Sequence, residues 1–177
     1  MKHLKKLREP LPIEYIDFRV QSINKGKYVT ILAYKDARVD MKRLDEVVGP
    51  ENWQRKHLND NRNCVVSIWN PEIQQWISKE DTGTESFTEK EKGLASDSFK
   101  RACFNWGIGI ELYDYPLISF KLNDDEVQEF NGKLRPSFKF NLRDWKWNSK
   151  IENGELVGLY CQDTTGKVRF KWMKEKK

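Results

Sequence analysis

Hydrophobic and polar positions alternate along this chain with two different periods. Residues 13–23, Ile-Glu-Tyr-Ile-Asp-Phe-Arg-Val-Gln-Ser-Ile, switch polarity almost every residue and are rich in β-formers, which predicts a strand. Asn24-Lys25-Gly26-Lys27 is a turn signal and residues 28–34 read as a second strand, so 13–34 make a hairpin. The period then lengthens. Residues 37–48 place Val39, Leu44, Val47 and Val48 inward on a helix that Gly49-Pro50 terminates. Three short strands follow at about 53–58, 63–69 and 72–78, with turns at 59–61 and at Asn70-Pro71, and one face carrying Val65, Ile73 and Ile77 or their neighbours.

The longest helical period lies in residues 85–107. Leu94, Ala95, Phe99, Ala102, Cys103 and Trp106 form one apolar stripe, Thr88 and Glu91 match a capping box, and Gly107 is placed to stop the helix. Lys100 and Arg101 fall off the stripe, near opposite margins of the polar face, with Asp97 three and four residues before them. On spacing alone these three make a surface ion-pair triad. Tyr115-Pro116 then breaks the chain, and 117–122 reads as a strand. Residues 123–136 are polar and acidic, a linker or short helix. Segments 137–147, 155–162 and 167–173 alternate like strands, with Asn153-Gly154 and Thr165-Gly166 as turns. Residues 2–8 suit a short helix ended by Pro10 and Pro12. The expected fold is α+β: a β-hairpin, a helix and an antiparallel meander packed on one long helix, then a small C-terminal β-meander. The expected division is residues 1–120, a linker at 121–136, and a basic segment at 137–177.

Composition adds a direction. The net charge is +5 over 177 residues. Residues 1–62 hold 14 Lys and Arg against 9 Asp and Glu, residues 63–134 hold 7 against 13, and residues 135–177 hold 11 against 5. Positive charge gathered at the two ends suits a polyanionic partner as well as it suits solubility. The cysteines, Cys64, Cys103 and Cys161, are far apart and odd in number, which argues against a disulfide framework and for small buried side chains. His3 and His57 have no acidic or thiol cluster near them, so no metal site is expected. No apolar run approaches a membrane span and the basic N-terminus lacks an apolar core, so the expectation is a cytoplasmic protein with no membrane partner.

Catalytic signatures are weak. No phosphate-binding Gly-x-x-x-x-Gly-Lys loop occurs, and Gly107-Ile-Gly109 follows a helix, where a dinucleotide motif follows a strand. Asp81-Thr82-Gly83 reads as a turn, since aspartic-protease chemistry needs two such aspartates in apolar strands. Asp124, Asp125 and Glu126 read as a solvated loop. The expectation is a binding protein, neither an enzyme nor a cofactor carrier. Arg19 in the first strand, Lys25 and Lys27 at the hairpin tip, and Lys35 and Arg38 just beyond the second strand could follow a phosphate backbone. Of the aromatic residues, Tyr28 and Tyr34 are the candidates for base stacking. Trp106 belongs to the apolar stripe, and packing is the default role for Trp53, Trp69 and Trp76.

Ile-Glu-Tyr-Ile-Asp-Phe-Arg (13–19), Ala-Arg-Val (37–39), Val-Val-Gly-Pro-Glu-Asn-Trp (47–53) and Ser-Asp-Ser-Phe-Lys-Arg-Ala-Cys-Phe-Asn-Trp-Gly-Ile-Gly-Ile-Glu-Leu-Tyr (96–113) occur here in order. Over roughly residues 10–118 this resembles the annealing domain of the Rad-fifty-two superfamily, and most closely its short phage members of the Sak type. The resemblance implies ATP-independent binding of single-stranded DNA and annealing of complementary strands in bacteriophage recombination and DNA repair. It also implies a homo-oligomeric ring with DNA in a basic groove, and a single-strand DNA-binding protein as a further partner. It carries the groove's basic positions onto Arg19, Lys100 and Arg101, which turns the pair from a surface triad into DNA contacts. Two departures stand out. A further basic position of eukaryotic members is Phe104 here, and their long recombinase-binding half is missing from this sequence. The competing expectation is a single-strand binder or replication scaffold without annealing activity.

Overall fold

The computed structural model describes residues 2–84 and 90–175. The fold is α+β, with two helices and eleven strands among those residues. The chain divides into two compact units, each drawn from two stretches of sequence: Met1–Leu11 with Lys35–Ile110, and Pro12–Tyr34 with Glu111–Lys177. This division does not follow the expected boundary at residue 120. The hairpin at 13–34 belongs with the C-terminal strands.

In the first unit, α1 (Ala37–Val48) has the expected bounds. The Asp36 side chain accepts from the Arg38 N–H as its N-cap, and Gly49 leaves the helix at φ 89°. Strands β3 (Trp53–Leu58), β4 (Asn63–Asn70) and β5 (Gln75–Thr82) form an antiparallel meander. The third strand starts later than expected, because the Asn70 side chain accepts from the Glu72 N–H and Gln74 turns at φ 52°. Ile73 is left exposed in that turn. The face packed on the long helix carries Cys64, Val66 and Ile68, and Val65 lies on the opposite face. Trp69 and Trp76 meet edge to face, 5.5 Å between rings, on that opposite face, and Trp76 is 40% exposed. Core packing therefore does not account for it.

Helix α2 (Lys90–Trp106) buries Leu94, Phe99, Ala102, Cys103 and Trp106 as expected, and ends at Gly107 with φ 96°. Ala95 is only half-buried and Ser98 takes its inward place. Burying a Leu or Phe side chain contributes about 1.5–3 kcal/mol each, so this stripe fixes the helix on the meander. The Trp106 indole N–H donates to the Val66 carbonyl at 3.0 Å and locks the register. The expected capping box falls on Thr88, outside the described residues, and on Glu91, whose side chain is likewise outside them.

The second unit holds two sheets and a hairpin. Strands β1 (Ile16–Ile23), β2 (Tyr28–Lys35) and β6 (Ile118–Lys121) form one sheet in the order β1-β2-β6. Strands β9 (Lys146–Glu152), β10 (Glu155–Gln162) and β11 (Val168–Met173) form the C-terminal meander. One core joins them. Val29, Ile31, Ile118, Phe120, Trp145, Leu159 and Cys161 are among its buried members, and Phe18 stacks on Trp147 at 3.6 Å. Two sequence expectations fail here. The acidic stretch contains a hairpin, β7 (Val127–Phe130) and β8 (Lys133–Pro136), turned by Asn131-Gly132, in place of a linker. Residues 137–145 are not a strand: Asn141 caps a helical turn at Leu142–Asp144, and the strand begins at Lys146.

Candidate nucleic-acid interface

Helix α2 carries the basic pair off its apolar stripe, with the Lys100 charge acting on the buried Asp40 of α1 and Arg101 directed to Asp81 of β5. Lys100 is half-buried and has no ion-pair partner among the described residues. Arg101 meets the Asp81 carboxylate through Nε at 3.4 Å, with 40% of its side chain exposed. Its two terminal nitrogens have no partner among the described residues. The triad expected from spacing does not form. Asp97 instead accepts from the Thr84 N–H at 2.9 Å and hydroxyl at 3.2 Å, so the chain entering α2 takes its charge.

Asp81 is not in a turn. It belongs to β5, where its carboxylate also accepts from Asn105 at 3.3 Å. The backbone of Gly83 passes so close to α2 that a Cβ there would lie 2.5 Å from the Ser98 nitrogen. Lys79 crosses from β5 to donate to the Asn105 carbonyl at 2.6 Å, its ammonium 4.7 Å above the Trp106 ring. Arg55 of β3 lies 4.8 Å over Phe99. These two cations lie on the packed face of the meander beside α2, and the sequence reading did not single them out.

The hairpin residues lie in the other unit. Arg19 is exposed on β1, its guanidinium 5.6 Å above the Tyr34 ring. Lys25 is exposed at the tip. Lys27, at φ 63°, bonds Asp124 at 2.7 Å, and that ammonium holds the Asp124 carboxyl below its usual range. Tyr28 is 48% exposed and Tyr34 half-buried. Arg38 points into solvent from the first turn of α1, 3.7 Å from Asp36.

Lys35 departs from expectation. It was expected to face a phosphate backbone, and instead it is 1% exposed. Its ammonium pairs with the Asp40 carboxylate, donates to the Ile108 carbonyl at 2.6 Å and lies 4.0 Å from the centre of the Phe104 ring. A lysine buried against a buried aspartate is closed off from a strand outside. Gly109, at φ 72°, leaves room for its stem, since a Cβ there would meet Lys35 Cδ at 2.9 Å. Phe104 covers the Lys35 ammonium with its ring.

The chain is similar to a known protein. The single-stranded DNA-binding protein DdrA of Deinococcus radiodurans is 30% identical over 115 residues. The match covers 63% of this chain and 55% of that protein, so the chain spans about half the length of the curated relative it matches. No family model matches the chain.

Buried polar groups were the main omission from the sequence reading. Asp40 is 0% exposed, and burial pushes its carboxyl up to about 7 against the pull of Lys35 and, more weakly, of Lys100. Its Oδ2 has no hydrogen-bond partner. The signal was present: Asp40 stands one helical turn before Leu44, on the inward face. Ser98, inside the Ser-Asp-Ser-Phe-Lys-Arg block, donates to the Asn61 carbonyl at 2.9 Å and pins the β3–β4 turn to α2. Among the described residues no group of three or more His, Cys, Asp or Glu could hold a metal ion, and no helix is long and apolar enough to cross a membrane.

Proposed function

We propose that this chain binds single-stranded DNA and anneals complementary strands without ATP, in recombination or repair. The observation that carries the reading is α2, a rigid helix that holds Lys100 without an ion pair among the described residues and Arg101 engaged through one nitrogen only. Such cations can exchange condensed counterions for phosphates. The likeness to a single-stranded DNA-binding protein and the resemblance of residues 96–113 to annealing proteins support the same ligand.

Annealing asks for no catalytic side chain. It asks that two polyanions be neutralised enough to meet, with base edges left free to pair. Assembly of identical subunits into a ring would multiply weak phosphate contacts by effective concentration.

The test mixes complementary oligonucleotides with protein and without ATP. Duplex formation should outpace the protein-free rate, and equal rates would refute annealing. Replacing Lys100 and Arg101 together with Ala should weaken oligo-dT binding at least tenfold. It should also flatten the salt dependence by about 0.7 in log–log slope for each phosphate left without its cation. A second reading is binding without annealing, favoured by a relative whose name states binding alone. It predicts the same salt slope with no acceleration of pairing.

A further inference from the structure

The outward face of the β1-β2-β6 sheet carries a residue to which no role has been given. Its inward face is fixed by Phe18, Val20, Val29, Ile31, Ala33, Ile118 and Phe120, all packed in the second unit's core. By alternation, Arg19, Tyr28, Thr30, Tyr34, Ser119 and Lys121 face outward. The register puts Tyr28 directly across from Lys121, and both are exposed. Directly opposed side chains have Cβ atoms about 5 Å apart. Lys121 acts on Asp124, the same carboxylate that Lys27 bonds, so Lys27 and Lys121 flank Asp124 at the hairpin end of the sheet. Asp17 is the acidic residue at the far end of the same face.

We propose that Tyr28 and Lys121 form a single-strand contact of their own, with a base stacked on the Tyr28 ring and the adjoining phosphate on the Lys121 ammonium. This rests on the reading that the chain binds single-stranded DNA. The occupant follows from the charges and the ring. Two lysines beside one aspartate suit a polyanion, and the exposed Tyr28 ring across from Lys121 suits the flat face that an unpaired base offers. A base held by its face keeps its pairing edge open, so the contact is compatible with annealing.

The test compares oligo-dT with an abasic oligomer of equal length, by fluorescence anisotropy across a salt series. Tyr28→Ala should lose about tenfold on oligo-dT, nothing on the abasic chain, and keep the salt slope. Tyr28→Phe should bind as the unaltered protein does. Lys121→Ala should lose affinity on both ligands and reduce the slope by about 0.7. Asp124→Asn, which removes the competing carboxylate, should tighten both. Equal losses on the two ligands for Tyr28→Ala, or no loss for either variant while the unaltered protein binds, would overturn the proposal. If the unaltered protein binds neither ligand, the single-strand reading falls and this site falls with it.

Discussion

Among the described residues, each unit of this molecule buries an ion pair, and the two pairs are built to different standards. In the first, Lys35 meets Asp40 through one oxygen, and the other oxygen has no partner. In the second, Arg169 grips Glu126 with two parallel bonds of 2.7 and 2.8 Å, reaches Asp163 at 3.4 Å and lies 4.9 Å over the Trp145 ring. Glu126 also accepts from the Asn123 N–H at 2.7 Å. Burial pushes both carboxyls up. For Glu126 the guanidinium and the backbone donor outweigh it and hold the group below its usual range, whereas Asp40 ends at about 7. Burial alone does not set the charge of an interior carboxylate. The number of donors that reach it does.

The comparison is broken or sharpened most strongly by removing the cations. Arg169→Met leaves Glu126 charged with one backbone donor and should cost about 3–5 kcal/mol at pH 7. Lys35→Met should cost roughly half that, because Asp40 can take up a proton near neutral pH and become a neutral acid. Urea melts of both variants at pH 7 would measure this. Equal costs would mean the two pairs are electrostatically alike.

Acid and base should then act on the two units in opposite directions. The folded pKa of Asp40 lies above its ordinary 3.8, so its contribution is complete below about 3.8 and is lost as pH rises towards 7. The slope can reach about 1.4 kcal/mol per pH unit. Glu126 is depressed, so its contribution is present above its ordinary 4.5 and is lost as pH falls below that. Hydrogen exchange at pH 5 and pH 7.5, read separately for amides of α1 and of β10, should show stability falling with pH in the first and holding in the second. Asp40→Asn should erase the trend in α1. The same trend in both units would end the distinction.

Both anions and their partners stand in the sequence, yet neither pair was legible there, while much of the fold was. Helix α1 could be read because Asp36 caps it and Gly49 ends it, and both signals are local. The β7–β8 hairpin had an equally local signal, Asn131-Gly132, but it lay in an acidic stretch whose composition reads as linker. The inward course of Lys35 was implied by parity: it shares a strand face with Val29, Ile31 and Ala33, so alternation alone points it inside. What parity cannot supply is the partner. Asp40 is five residues away but Ile108 is 73, and Glu126 is 43 from Arg169. On α2 the difficulty is reversed. The cations of Lys100 and Arg101 follow from helix periodicity, whereas the diversion of Asp97 to Thr84 depends on how the chain returns from β5. Local periodicity positions a side chain on a face. Tertiary closure determines which charges remain available there.

The smallest expected effect is the one that separates pairing from packing. Lys35→Met combined with Asp40→Leu removes both charges from the first unit together and leaves apolar side chains of similar reach beneath Phe104. Buried pairs replaced in this way are often neutral in stability or better, because two desolvation costs vanish with one attraction. The double variant should therefore lie within about 1 kcal/mol of the unaltered protein, well above Lys35→Met alone. The corresponding triple change of Arg169, Glu126 and Asp163 should not recover, since Thr165 and Lys167 would keep backbone donors that now find Asp163. A double variant as unstable as the single one would show that the Ile108 carbonyl, and not Asp40, is the partner that Lys35 cannot lose.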